Sequence, residues 1–240
     1  ALNPNHLEAY VALLHIALAQ KNMAEAKRLL KLAERVNPDA DSVLVSKGAI
    51  ANAEGLLDDA LKWYSLAAEQ NPNNVMALAN LGVLHLKKQM PAFAEQALNR
   101  AKALSPANIG VLRGLVQAHL DQNQPAEAEQ AVSELLAVLP SDRAGLGLRT
   151  DLRRARGDLE GAVQDVSAIL ANTPGDFGVL SHFTTVCLQA GKGEAARDAL
   201  QSALSKNSAD DGVWQLLSLV EARLTGDGKA VIDRWLEQRP

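Results

Sequence analysis

The chain is poor in several residues that mark common protein classes. Its 240 residues contain one cysteine, Cys187, so an intrachain disulfide is excluded and both reducing and oxidising compartments stay open. Aromatic residues make up 3% of the sequence although 48% of it is hydrophobic, so alanine and leucine supply most of the apolar side chains. That composition is typical of many short, closely packed helices.

Basic residues and long apolar runs are scarce as well. The formal net charge is −4, whereas proteins that bind nucleic acid usually carry a basic stripe. No apolar run approaches the ~18 residues that cross a bilayer, because the longest, within residues 9–19, is interrupted by His15. The sequence therefore predicts no nucleic-acid partner and no direct membrane insertion. It does not decide between the cytoplasm and the periplasm.

Catalytic signatures are missing too. The sequence contains no H-E-x-x-H, no G-x-S-x-G and no complete phosphate-binding loop, because the segment AGKGE at 190–194 has valine at position 186 where an upstream glycine is needed. We therefore expect neither enzyme activity nor a cofactor within these residues. A catalytic domain elsewhere in a longer parent protein stays open.

The chain does contain a strict 34-residue period, which runs without insertion or deletion. Prolines and alanines carry it: Pro4, Pro38, Pro72, Pro106, Pro140 and Pro174, and Ala26, Ala60, Ala94, Ala128, Ala162, Ala196 and Ala230. Because proline ends helices, each proline marks the end of a unit. The alanines predict crossing points where two backbones approach too closely for a larger side chain. Between these markers every unit shows two apolar-periodic segments around a short break, which predicts helix A, a turn and helix B.

This pattern resembles the tetratricopeptide repeat. The third unit carries it most completely, with Leu78, the segment ANLG at 79–82, Ala94, Leu98 and Pro106 at the family's positions. The resemblance covers essentially the whole chain. It implies an all-α fold, a right-handed superhelical α-solenoid of helix–turn–helix hairpins.

Seven repeats follow from the period. They are expected over residues 7–40, 41–74, 75–108, 109–142, 143–176, 177–210 and 211–240, after the end of a preceding repeat over residues 1–6. The seventh is expected to be divergent, cap-like or truncated, because Ser208 replaces the proline before it and Arg234 and Glu237 stand where apolar side chains should pack. Repeat positions are counted below from the first residue of each repeat.

The resemblance implies a non-catalytic scaffold that binds a partner protein or peptide. In the family, helix-A side chains at positions 2, 5, 9, 12 and 13 line a concave groove, and position 6 can hold a ligand's backbone. The groove residues implied here are Val11, His15, Leu18, Val45, Ala49, Asn52, Met76, Asn80, Val83, Leu86, Lys87, Arg113, Gln117, Asp121 and Arg154. Because the lining of repeats one to three is apolar, we expect the apolar side chains of a partner peptide or helix there. The alternative is that this lining merely supports the superhelix.

Two sets of polar residues need a separate interpretation. Arg149 and Arg153 occupy positions that are normally apolar, and their spacing puts both on one helix face. They are either an anionic docking point on the surface or a structural feature, and we favour the structural interpretation. That feature is an internal salt-bridge network, for which Asp165 is a candidate partner, or a locally loosened repeat. His85 and His119 recur one period apart, and equivalent sites in stacked repeats lie roughly a helix diameter apart, too far for one metal ion. We therefore expect no metal site, and a buried apolar role for Cys187.

Two other functions stay open as weaker alternatives. The first is an assembly module that self-associates through the ends of the array, within a larger bacterial envelope or secretion protein. The alanine-rich style is similar to long bacterial tetratricopeptide proteins of envelope and polysaccharide-export systems. The second is RNA binding by analogy with pentatricopeptide hairpins, which the acidic net charge disfavours.

Overall fold

Alanine- and leucine-rich segments fold into helices throughout the computed structural model, which describes residues 5–238. These residues form fourteen α-helices and no strand: α1 (Asn5–Ala19), α2 (Met23–Val36), α3 (Asp41–Ala53), α4 (Leu57–Gln70), α5 (Val75–Lys87), α6 (Pro91–Leu104), α7 (Ile109–Asp121), α8 (Pro125–Val138), α9 (Arg143–Arg156), α10 (Leu159–Asn172), α11 (Phe177–Gln189), α12 (Gly193–Lys206), α13 (Asp211–Thr225) and α14 (Lys229–Gln238). Consecutive helices form seven helix–turn–helix hairpins, numbered 1–7 below, which confirms the predicted all-α hairpin fold. Pro4 and the other residues of 1–4, assigned to a preceding repeat, lie outside the described residues, and the repeat boundaries remain predictions.

The chain divides into two compact units, Ala1–Ala131 and Val132–Pro240, and the division falls within α8. In the first unit, α1 packs on α2, α3 on α4 and α5 on α6. The later A helices of this unit, α3, α5 and α7, each also pack on both helices of the preceding hairpin. In the second unit, α9 packs on α10, α11 on α10 and α12, and α13 on α11, α12 and α14. Each unit is thus built from contacts between neighbouring hairpins, as expected for a repeat array.

A recurring polar side chain starts most A helices. It is Asn or Asp at position 34, the residue before helix A, and its side-chain oxygen accepts a hydrogen bond from the backbone N–H three residues on: Asn74, Asn108, Asp142, Asp176 and Asp210, at 2.8–3.2 Å. Such N-caps each stabilise a helix by about 1 kcal/mol. Ala40 stands at this position before α3 and makes no side-chain cap. This cap is a further periodic signal of the sequence, independent of the prolines and alanines that carry the 34-residue period.

The turns between helices A and B share one backbone conformation. The residue at position 15 has a positive φ in hairpins 1–6, where it is Lys21, Gly55, Gln89, Asn123, Gly157 and Gly191. In hairpin 7 the positive φ belongs to Gly226, one residue later, because α13 runs on to Thr225. Non-glycine residues in this conformation are uncommon, so tertiary packing holds the turn at three of these positions.

The predicted close crossings are confirmed in six of the seven hairpins. Ala26, Ala60, Ala94, Ala128, Ala162 and Ala196 are all fully buried. Ala230 is exposed, and its neighbour Val231 is buried instead. The late turn has moved α14 by one residue, so the seventh alanine match is a coincidence and the period is broken after α13. The same shift explains Arg234, because Trp235 takes the packing position that the strict period assigned to it.

Candidate partner-binding surface

Helices α1 and α3 expose fewer of the predicted groove residues than the sequence predicts. Val45 is 1% exposed and Val11 is also buried, so neither side chain can contact a partner while the hairpins remain packed. Leu18 is partly buried and packs against a cluster that includes Leu14 and Leu29. Val11 and Val45 are core residues, whereas Leu18 is only partly buried and its place in the groove stays a prediction. The β-branched Val side chain is too short to emerge from between neighbouring helices, whereas the exposed Arg113 holds the same repeat position as both valines.

His15 is a second departure from a simple lining residue. Its Nε2 atom is buried and has no hydrogen-bond partner among residues 5–238. Burial lowers the pKa of the imidazole below its ordinary value, because the charged form loses solvation. The ring is therefore neutral near pH 7, and it offers no positive charge to a partner.

Helix α5 supplies the clearest exposed face among the predicted residues. Met76 and Val83 are exposed although apolar, and Asn80 lies half-buried between them. Met76, Asn80, Val83 and Lys87 are separated by four, three and four residues, so they follow one face of the helix. The structure therefore brings four of the predicted residues together on α5.

An open cavity of about 560 Å³ adjoins the end of this face. It is lined by Leu86, Lys87, Gln89, Pro91 and Asp121, which come from α5, the following turn, the start of α6 and the end of α7. Leu86, Lys87 and Asp121 were predicted from their repeat positions. Gln89 and Pro91 were missed, because they belong to the turn between helices A and B rather than to helix A.

Hydrogen bonds hold the two charged residues at the rim of this cavity, Lys87 and Asp121. Lys87 Nζ on α5 donates to Asn52 Oδ1 on α3 at 2.9 Å. Gln117 Nε2 donates to Asp121 Oδ1, four residues on along α7, at 2.6 Å. An ammonium group and a carboxylate thus form the charged part of the cavity lining, and two further predicted residues, Asn52 and Gln117, hold them by hydrogen bonds. Ala49, also predicted, is partly buried on α3.

The second unit holds a cavity of about 530 Å³ at equivalent repeat positions. It is lined by Asp151, Arg154, Ala155, Gly157, Leu159 and Gln189. Arg154, the one predicted groove residue of this unit, donates through Nε to Gln189 Oε1 at 2.9 Å and through Nη1 to Asp151 Oδ1 at 3.3 Å. Each cavity therefore combines a cation, a carboxylate and an amide with apolar side chains.

Arg149 and Arg153 converge on one buried carboxylate. Arg149 donates to both oxygens of Asp165 at 2.9 and 2.6 Å, and Arg153 Nη1 donates to Oδ2 of the same residue at 2.9 Å. Arg149 also reaches Ser133 Oγ at 3.2 Å, and Arg153 reaches the carbonyl oxygen of Gly161 at 3.1 Å. The predicted internal network with Asp165 is therefore confirmed. Anionic docking at these arginines stays a prediction, and the geometry directs both guanidinium groups inward.

The remaining residues that could bind a metal or react chemically do not lie together. His119 Nδ1 lies 2.9 Å from Gln124 Oε1, and the His85 ring lies 5.6 Å from the ring of Phe93. Burial raises the pKa of the Cys187 thiol to about 11, so it behaves as a small apolar side chain near pH 7. Across residues 5–238 no three His, Cys, Asp or Glu side chains are grouped so as to hold a metal ion. No helix in that same stretch is long and apolar enough to span a membrane.

Comparison with known proteins identifies the repeat. Two tetratricopeptide repeat models match the sequence, one over residues 11–75 and the other over residues 94–152. No curated protein shows significant sequence similarity to the chain.

Several solved structures share the fold. PilF of Pseudomonas aeruginosa superposes with a TM-score of 0.68 at 18% identity, covering 98% of each chain. PilW, a widely conserved type IV pilus biogenesis factor, superposes with a TM-score of 0.61 at 15% identity, covering 88% of this chain and 98% of PilW. YrrB, a tetratricopeptide protein with an unusual peptide-binding site, superposes with a TM-score of 0.61 at 16% identity, covering 78% of this chain and 96% of YrrB. At these identities the likeness shows the fold alone.

Proposed function

We propose that this chain, which belongs to the tetratricopeptide repeat family, is a non-catalytic scaffold that binds a segment of a partner protein on the helix-A side of its first unit. Proteins with these repeats generally serve as protein-interaction scaffolds. The structural neighbour YrrB has a peptide-binding site, which supports a peptide as the class of ligand. The exposed face of α5 and the adjoining cavity supply the surface.

The observation that carries the proposal is the pairing of exposed apolar side chains with a polar-rimmed cavity on one side of α5. Met76 and Val83 lie in water although the fold has buried their neighbours Leu78 and Leu84. Covering an apolar side chain contributes about 25 cal/mol for each Å² removed from water, so these residues favour an apolar contact. The cavity lies at the C-terminal end of the same helix.

The cavity also specifies the chemistry of the partner segment. Lys87 and Asp121 carry opposite charges, so the rim does not select a strongly charged ligand. The side-chain amide of Gln89 can pair with peptide N–H and C=O groups, while Leu86 and Pro91 supply the apolar part of the lining. The ligand that fits is a peptide whose apolar side chain enters the cavity, with one or two further apolar residues along Met76 and Val83.

Peptide selection followed by titration tests this surface. The full chain is used to select binders from a random peptide library, and the affinity of each binder is measured by fluorescence anisotropy. Val83→Glu should weaken binding at least tenfold, because a carboxylate would be buried against apolar groups, and a tenfold loss corresponds to about 1.4 kcal/mol.

Leu104→Glu provides the matched control. Leu104 is 42% exposed on α6, in the first unit, and Val83 is 40% exposed on α5, so the two substitutions add the same charge at the same exposure on different helices. Binding should be retained in the control. Equal losses in both variants, or a loss in the control alone, would refute the placement on α5. Val45 is unsuitable for this test, because a glutamate at a buried position would disrupt folding.

A further inference from the structure

The turn between α5 and α6 connects the cavity of the first unit to a histidine that does not line it. Gln89 and Pro91, in this turn and at the start of α6, line the cavity. Met90, between them, donates a hydrogen bond from its backbone N–H to the carbonyl oxygen of His85 at 2.9 Å. Gln89 has a φ of 57°, which is uncommon for a residue with a side chain, so its neighbours must hold the turn in place. The cavity wall therefore depends on how His85 is packed.

The imidazole of His85 has one nitrogen without a partner. Its Nδ1 atom is buried and makes no hydrogen bond within residues 5–238. The ring of Phe93 on α6 lies 5.6 Å away, measured between ring centroids, and offers no acceptor oxygen or nitrogen. A protonated imidazole carries N–H on both nitrogens, so its Nδ1–H would be a buried donor without an acceptor, which is unfavourable. The closed turn therefore favours the neutral ring.

Later hairpins give a polar side chain at this repeat position a partner. His119, one repeat on, has Nδ1 2.9 Å from Oε1 of Gln124. Arg153, two repeats on, has Nε 3.7 Å from Oδ2 of Asp158. Gln124 and Asp158 both stand at repeat position 16, where hairpin 3 has Met90. Because a thioether is only a weak acceptor, hairpin 3 combines the histidine with a residue that does not pair with it.

The charged groups around the ring also favour its neutral form. Burial lowers the pKa of His85 below its ordinary value, and the nearby Lys88 ammonium lowers it further. Lys88 pairs with Asp58 of α4, and Lys87 on α5 is bonded to α3. On α6, Glu95 accepts a hydrogen bond from an amide of α7 at 2.7 Å. Neither of these carboxylates forms an ion pair with the imidazole, so neither stabilises its charged form.

We propose that His85 makes peptide binding at this cavity sensitive to pH, because protonation of the ring opens the α5–α6 turn and weakens the binding of the peptide. The inference rests on the proposed function, since it concerns the same cavity. In the closed turn, Gln89 and Pro91 line the cavity and Nδ1 is kept from water. In the open turn, water can accept a hydrogen bond from the protonated Nδ1.

The direction of the pH dependence follows from this coupling. A peptide binds the closed turn and a proton from solvent favours the open one, so each weakens the binding of the other. The affinity is therefore complete above the pKa of His85 in the free chain, and it falls as the pH drops below that value. Because burial lowers this pKa, the loss begins on the acid side of neutrality.

Hydrogen exchange of the backbone amide of residue 90 tests the turn without any peptide. Its protection factor, which corrects for the intrinsic pH dependence of exchange, is measured by NMR at about pH 7.5 and about pH 5. Protection should fall at the lower pH in the unmodified chain. It should fall much less in Met90→Gln, because the new side chain can accept from Nδ1–H as Gln124 does beside His119.

Peptide affinity at the same two pH values tests the coupling. Peptides selected with the full chain are chosen without His, Asp or Glu and with blocked ends, so that they do not titrate. Binding to the unmodified chain should be at least about fivefold weaker at the lower pH. Met90→Gln and His85→Gln should each reduce that difference to less than about twofold. His119→Gln is the matched control, which removes a histidine that has a partner and should leave the difference unchanged.

The outcomes separate this inference from the proposed function. If no peptide binds at the higher pH, the proposed function fails, and the protection factor still decides whether the turn responds to acid. If peptides bind equally at both pH values, or if His85→Gln loses as much affinity in acid as the unmodified chain, the role of His85 is refuted and peptide binding stands. A protection factor that does not change with pH also refutes the opening of the turn. Circular dichroism checks that the variants keep their helices.

Discussion

Replacing Asp165 with alanine tests whether the buried ionic cluster of hairpin 5 holds α9 against α10. Asp165 is 3% exposed and accepts three hydrogen bonds from Arg149 and Arg153, at 2.6, 2.9 and 2.9 Å. Both arginine side chains are largely buried, so removal of the carboxylate leaves two guanidinium groups without their main counter-charge. Asp158 remains near Arg153, at 3.7 Å, as a weak substitute.

The size of the effect follows from that geometry. Breaking a buried ion pair by removing one partner costs about 3–5 kcal/mol. The arginine side chains are 18% and 19% exposed and can regain some water, so we expect a loss near the lower end of that range. Urea unfolding followed by circular dichroism measures the total. Hydrogen exchange of the α9 and α10 amides shows whether the loss is local, because repeat arrays can unfold in parts.

A triple variant separates ion pairing from packing. Arg149→Leu, Arg153→His and Asp165→Ala together give hairpin 5 the residues that hairpin 4 carries at the same positions, Leu115, His119 and Ala131. Removing a buried ionic cluster as a whole is often neutral or stabilising, so the triple variant, which retains none of the three charged side chains, should recover most of the stability lost in Asp165→Ala. The reasoning is refuted if the single variant loses less than about 1 kcal/mol, or if the triple variant is no more stable than the single one.

Two further predictions concern stability. Gly82→Ala should destabilise the chain by about 1–3 kcal/mol in urea unfolding, because the added Cβ would lie 2.5 Å from Leu98 Cδ2. Gly147→Ala, where the added Cβ would meet nothing within 4 Å beyond its chain neighbours and the backbone of its own helix, should instead stabilise it by about 0.5–1 kcal/mol, and the same sign for both changes would contradict this account. Burial lowers the pKa of His15 in the folded chain, so protonation of this side chain favours the unfolded state. The contribution of neutral His15 to the free energy of unfolding is therefore complete above the unfolded-state pKa of about 6.5, and it is lost as the pH falls below that value. Unfolding free energies measured from pH 8 to pH 5 should therefore fall less steeply for His15→Gln than for the unmodified chain, and parallel curves would argue against this role.

The period predicted the helices well because helix ends and close crossings each demand one residue type. Proline cannot continue a helix, and only a side chain as small as alanine fits where Ala94 is buried. Each of these two residue types therefore recurs at a fixed spacing that can be seen in the sequence. The N-caps and left-handed turns recur just as regularly. They escaped notice because several residue types satisfy each one, as Asn74 and Asp142 do for the cap, and Gly55 and Gln89 for the turn.

The proposed binding surface is harder to predict from the sequence. A repeat position gives the direction of a side chain, but its exposure depends on its length and on its neighbours, as the buried Val45 and the exposed Arg113 show. The cavity beside α5 also uses Gln89 and Pro91, whose placement depends on the conformation of a turn. The 34-residue period does not reveal the late turn at Gly226 either, because Ala230 matches the repeating alanine by residue type alone.

That late turn matters to anyone who wishes to lengthen the protein by design. Successive residues of a helix are rotated by about 100°, so a one-residue delay swings the whole of α14 by roughly a quarter of a revolution relative to the B helices before it. A duplicated 34-residue module grafted upstream of α13 would meet neighbours in the register it was copied from. Grafted behind α14, the same module would meet a helix whose side chains are displaced by one residue from the repeat positions, and its apolar side chains would be misaligned from the first turn.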